Sequence, residues 1–236
     1  MRKESFYRWA GFCGLFSIVL FFSEIPMYLA RGPFPTTSVT SLTTYVAQNA
    51  RNMVGVTVVD MLACALLLLF LAGFRNLIGE MQPRFMWLAT QIFGVGVVFC
   101  GLRLFTDFLQ GTTGFNALAG NIDPSLVRAF LSRPFSTFGT VGFIFGAVSL
   151  AAASYIGHAS RALPPLATGL GYFAAVLCLV IIPFAQDATQ NSAQLFQAGI
   201  WGATGVAAAG TPLALWVFVV GIAMLRLHNM QARREF

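Results

Sequence analysis

A chain of 236 residues that is 57% hydrophobic and only 9% charged has too few polar side chains to cover a soluble globule of its size; soluble domains carry about 25% charged residues. A net charge of +6 would suggest nucleic acid in a soluble protein, but here the basic residues flank apolar runs and no RNA- or DNA-binding motif accompanies them. The mean hydropathy of +0.76 and the length together suit one all-α membrane domain of about six helices.

The spans are expected at about 9–30, 52–78, 85–109, 134–157, 166–184 and 199–227. The first follows Met1-Arg2-Lys3-Glu4, a start resembling that of a signal peptide. Its apolar run to Ala30 is too long for a signal sequence, so it reads as an uncleaved helix. Glu24 and Pro26 lie in its last two turns, and Arg31-Gly32-Pro33-Phe34-Pro35 breaks it. Residues 36–51 are Ser/Thr-rich, yet Val39, Leu42, Tyr45 and Val46 recur at helical spacing. That stripe predicts a short amphipathic helix on the surface, ending before the second span.

The second span carries Asp60 in its third turn, and a tight connection from Gly79 to Arg84 leads into the third. The third has Gln91 in its first half and Arg103 and Asp107 in its last. The connection from Gln110 to Arg133 is the longest; within it Asp123-Pro124 pairs a good N-cap with a preferred first helical residue, predicting a second short surface helix. An Arg161-to-Pro165 turn separates the fourth and fifth spans, and a Gln/Asn-rich stretch containing Asp187 separates the fifth and sixth. Pro212 should leave the carbonyl of Ala208 without its helical partner and bend the sixth.

Basic residues set the orientation. Nine Lys and Arg fall on one side and four on the other, leaving out Arg103, so both termini should be cytoplasmic in a bacterial inner membrane. Trp9 and Trp87 then lie near the inner interface, and Tyr28 and Trp201 near the outer. The outer connections are the long ones, and Glu24, Asp60, Arg103 and Asp107 all fall in the outer half.

These four residues are the candidate site. Arg103 and Asp107 stand four residues apart and share a helix face. A bare charge in hydrocarbon costs several kcal/mol, so such groups face a bundle interior or a water-filled cavity. In one reading Arg103 is neutralised by Asp107, Asp60 or Glu24, and the network fixes how the first three spans meet. In the other, a carboxylate there takes up a proton or binds a cation or polar substrate. Three acids against one arginine leave a negative excess, and desolvation disfavours a charged carboxyl, which gives the second reading its footing.

Inside lipid, close helix contacts depend on small residues. Gly139, Gly142 and Gly146 make one such face on the fourth span, and Gly202, Gly205 and Ala209 another on the sixth. Either could pack within the bundle, against a membrane-protein partner or against a second copy.

Several chemistries can be argued down. Cys13, Cys64, Cys100 and Cys178 all lie in apolar runs, with no Cys-x-x-Cys pair, so neither a disulfide framework nor a metal site is expected. The only lysine is Lys3, which excludes a retinal Schiff base within the bundle, and His158 and His228 lie at helix ends, unsuited to a bis-histidine haem. No His-Glu-x-x-His, Gly-x-Ser-x-Gly or glycine-rich phosphate loop appears. No cofactor is expected, although 24 phenylalanines make walls against which lipid, quinone or pigment could lie.

Trp9-Ala10-Gly11-Phe12 opens the first helix, Asp60 comes early in the second, and Tyr155 to Gly171 holds a turn with Ser160, Arg161, Pro164 and Gly169. In these points the chain resembles a group of uncharacterised bacterial six-helix integral membrane proteins. The resemblance implies topology and no activity. With no complete catalytic set and no transport motif, the expected function is non-enzymatic: a structural or accessory membrane subunit docking to a partner or lipid. A small proton-coupled transporter or channel using the intramembrane acids is the alternative, and a membrane enzyme acting on lipid the third.

Overall fold

A backbone in hydrocarbon must satisfy its own N–H and C=O groups, so long apolar runs free of turn residues fold as helices. The computed structural model describes residues 3–32, 39–125, 134–190 and 211–232, and among these there is no strand. The helices are α1 (Lys3–Ala30), α2 (Val39–Met81), α3 (Met86–Leu118), α4 (Pro134–Ser160), α5 (Pro165–Gln190) and α6 (Thr211–Ala232), with a 3-10 turn at Pro83–Phe85. Four segments are long and apolar enough to cross a membrane: Ser5–Ala30, Thr40–Met81, Pro83–Leu118 and Gly142–Ser160. Pro165–Val180 and Thr211–Arg226 are shorter apolar stretches.

Each helix packs on its neighbours in sequence, and α6 returns to α1, so the bundle closes on itself. Phe70 and Phe74 of α2 meet the Trp216 ring of α6 edge to face at 6.3 and 5.8 Å between centroids, which joins the two helices that flank α1. The start of α1, the α2–α3 turn and the ends of α4 and α6 share one end of the bundle. Tyr7 meets Glu80 there, Gly11 meets Gly221, and Arg84 Nη2 donates to the Ala159 carbonyl at 3.2 Å. At this turn end Ser160 and Arg161 close α4: Ala162 N–H donates to Ser160 Oγ at 3.1 Å, and Arg161 takes a left-handed φ of 55°.

The structure departs from the sequence expectation at the other end. The predicted surface helix over 36–51 and the second span are one helix, α2, of 43 residues, or about 65 Å at 1.5 Å per residue. No Gly or Pro separates Val39 from Asn52, so nothing stops the helix. The described part of the stripe that suggested a surface helix packs inward instead: Val46 is buried with Met53, and the partly buried Leu42 and Tyr45 join them against Leu109, Ala117 and Ile122. The predicted third span likewise ended at 109, whereas α3 continues to Leu118. Gly111 and Gly114, which read as loop residues, are close contacts of α3 with α2; a Cβ on Gly114 would sit 2.9 Å from the Ala50 carbonyl oxygen.

Asp123 Oδ1 accepts from Ser125 N at 2.8 Å and Ser125 Oγ at 2.7 Å, the bonds of an N-cap. The rest of the helix expected after it lies outside the described residues. Pro212 stands in the first turn of α6 as described, and Ala208 lies outside it.

Candidate functional site

Arg103 reaches out of α3 to two other helices. Its Nε donates to Asp60 Oδ1 of α2 at 2.6 Å, and its Nη2 to Glu24 Oε2 of α1 at 2.8 Å. The guanidinium also lies over the Phe21 ring, 4.9 Å from its centroid. Phe21 and Glu24 are three apart on α1, so one helix face supplies both the ring and the acid. Asp60 and Glu24 are buried, whereas the Arg103 side chain keeps 31% of its surface exposed.

Asp107 is not among the acids that Arg103 pairs with. An acid four residues after a base is the weaker order on a helix, because the reverse order also suits the helix dipole. Acids on α1 and α2 take the guanidinium instead. Asp107 is buried, and its carboxyl and that of Glu24 both lie close to Asp60. Two carboxylate oxygens, Glu24 Oε1 and Asp107 Oδ2, are buried without a hydrogen-bond partner.

A second polar layer continues the first toward the far end. Arg31, just past α1, donates from Nε to Asn52 Oδ1 at 2.6 Å, from Nη1 to Gln110 Oε1 at 3.2 Å and from Nη2 to the Asn52 carbonyl at 3.3 Å. Asn52 Nδ2 donates to the Met27 carbonyl at 2.9 Å, and Gln110 Nε2 to the Met53 carbonyl at 3.2 Å. Between the layers, Thr57 Oγ1 bonds the Asp107 carbonyl at 3.2 Å. Arg31 is thus held by neutral amides and by the Tyr28 ring, 4.8 Å away. Burial pulls its guanidinium below the usual arginine range.

The sequence reading took Arg31 for a surface charge, Asn52 for the first residue of a span and Gln110 for the start of a loop. The signal was present: Arg103, Asp107, Gln110 and Thr113 recur at three- and four-residue spacing on α3. It was hidden by ending the third span too early.

The small-residue faces are placed in part. Gly142 lies against the Phe99 ring and Gly146 at ordinary contact distance from Cys178 Sγ. Gly139 is on α4, where only the backbone is described, and Gly202, Gly205 and Ala209 lie outside the described residues. A backbone approach that the sequence reading missed joins Gly11 of α1 to Gly221 of α6, where a Cβ on Gly11 would stand 2.9 Å from the Gly221 oxygen.

An open groove of about 640 Å³ opens at the turn end, lined by Phe6, Tyr7, Asn76, Glu80 and Met86 among others. It is separated from Glu24 by 17 residues of α1, or about 25 Å. The charged cluster is therefore a distinct feature, a two-layer polar seam along α1, α2 and α3. Neither a protein-family model, nor a curated protein, nor a solved structure matches this chain.

Proposed function

We propose that this is a multi-pass protein of a bacterial inner membrane, with six spans and both termini cytoplasmic, that acts without catalysis as a structural or accessory subunit. The observation that carries this reading is the double ion pair of Arg103. Its guanidinium is taken up by Asp60 and Glu24 of the same chain, so the charges join α1, α2 and α3 into one unit. The second layer on Arg31 does the same one step further along. Such a unit offers a fixed surface to a membrane-protein partner, to lipid or to a second copy. Exposed Phe12, Phe16, Phe105 and Phe108 give that surface its apolar character.

The test is purification of the tagged full chain from native membranes in mild detergent. A partner recovered in stoichiometric amount supports the reading. A chain that runs alone and has an activity lost in Asp60→Asn overturns it. Reporter fusions at the two ends test the topology: both must report cytoplasmic.

A second reading, proton-coupled transport, is favoured by the two carboxylate oxygens without partners, Glu24 Oε1 and Asp107 Oδ2. A network serving only to hold helices together would leave no acid unsatisfied. Proteoliposomes of the pure chain carrying a pH dye test it: proton flux must appear with wild type and fall in Asp107→Asn.

A further inference from the structure

Three acids crowd into one buried cluster with two guanidinium groups nearby. The titratable groups that face it are Glu24 and Tyr28 of α1, Arg31 just past α1, Asp60 and Cys64 of α2, and Cys100, Arg103 and Asp107 of α3. Glu24, Asp60 and Asp107 supply three negative charges if all are ionised; Arg103 and Arg31 supply two positive ones. One acid is in excess.

Geometry says which. Arg103 gives Nε and Nη2 to Asp60 and Glu24. Arg31 gives its hydrogen bonds to amides. Thr57 bonds the backbone carbonyl of Asp107 and not its carboxyl. Asp107 is 5% exposed, its Oδ2 has no hydrogen-bond partner, and its carboxyl lies close to that of Asp60. A buried carboxyl oxygen with no donor, next to a second carboxylate, favours the protonated form; one proton between the two removes the repulsion and supplies the missing donor.

We propose that Asp107 and Asp60 form a single-proton binding site at the seam between α2 and α3, with Asp107 as the carboxyl that carries the proton. The site follows from the packing of the cluster and holds whether the protein is a scaffold or a transporter.

Infrared spectroscopy of the full chain in lipid nanodiscs tests this on wild-type protein. Uniform ¹³C labelling of aspartate marks every Asp carboxyl. The expected result at neutral pH is one carboxylic-acid C=O band that shifts on labelling and disappears in Asp107→Asn. Asp107→Glu, which keeps the carboxyl, should retain the band but lose its response to the aspartate label. The proposal is overturned if wild type shows no label-sensitive band, if the band survives unchanged in Asp107→Asn, or if it still responds to the label in Asp107→Glu. A band that behaves as expected in protein that carries no proton flux leaves this site standing and removes the transport reading.

Discussion

Arg103 and Asp60 lie 43 positions apart in sequence and 2.6 Å apart in the bundle. Their contact spans the α2–α3 interface, and Glu24 extends it to α1. Removing one partner of a buried pair strands the other's charge, which typically costs about 3–5 kcal/mol. Asp60→Asn should therefore lower stability on the order of 3 kcal/mol, read by thermal or denaturant unfolding of the purified protein. Replacing both partners, as Asp60→Leu with Arg103→Met, should cost less than the sum of the two single changes. Additive losses would show that the pair does not couple these helices.

Gly11 and Gly221 bring α1 and α6 into backbone contact and so close the bundle. A side chain forced between them should cost about 1–3 kcal/mol. Gly11→Val is expected to lower the melting temperature clearly. Gly94→Ala is the control, because nothing lies within 4 Å of that site; it should leave the melting temperature unchanged or slightly raised, since Ala favours helix over Gly by about 1 kcal/mol.

The Arg31 layer ties the end of α1 to α2 and α3 without any acid. Arg31→Ala should free the last turn of α1 while leaving the Arg103 pairs in place. Hydrogen exchange will show this as faster exchange at 27–31 with unchanged protection around 60 and 103. Equal loosening at both layers would mean that they act as one unit.

Trp216 packs edge to face on Phe70 and Phe74, and its Nε1 has no hydrogen-bond partner. Trp216→Phe removes no hydrogen bond and keeps an aromatic ring, so it should cost under about 1.5 kcal/mol. Trp216→Ala should cost about 3–5 kcal/mol through the cavity left behind. The comparison is a pair of unfolding curves.

Much of this arrangement was legible in the chain. Charge scarcity and long apolar runs announced an all-helical bundle, and the isolation of Glu24, Asp60 and Arg103 in apolar surroundings marked them as residues in need of one another. Spacing along α3 pointed to Asp107 as the first partner of Arg103, but local spacing says nothing about which helices lie alongside, and Asp60 and Glu24 take the guanidinium. The lengths of α2 and α3 were misjudged for a related reason. Thr, Ser, Asn and Gly near residues 40–52 and 110–114 carry turn-like composition, yet packed against each other they form a helix pair. Gly114 reads as a break in one dimension and as a contact surface in three. The approach of Gly11 to Gly221 depends on a neighbour more than two hundred residues away, which no local pattern records.

The unbroken course of α2 has a mechanical consequence. A hydrocarbon layer is about 30 Å thick, so a rod of about 65 Å must stand well clear of it. Asp60 and its partners grip that rod near the middle, which makes them a fulcrum. A tilt of about 5° at this pivot moves the tip near Val39 by about 3 Å, carrying the attached end of α3 with it. Any molecule that pushes on the tip works against the charged cluster with the leverage of half a helix.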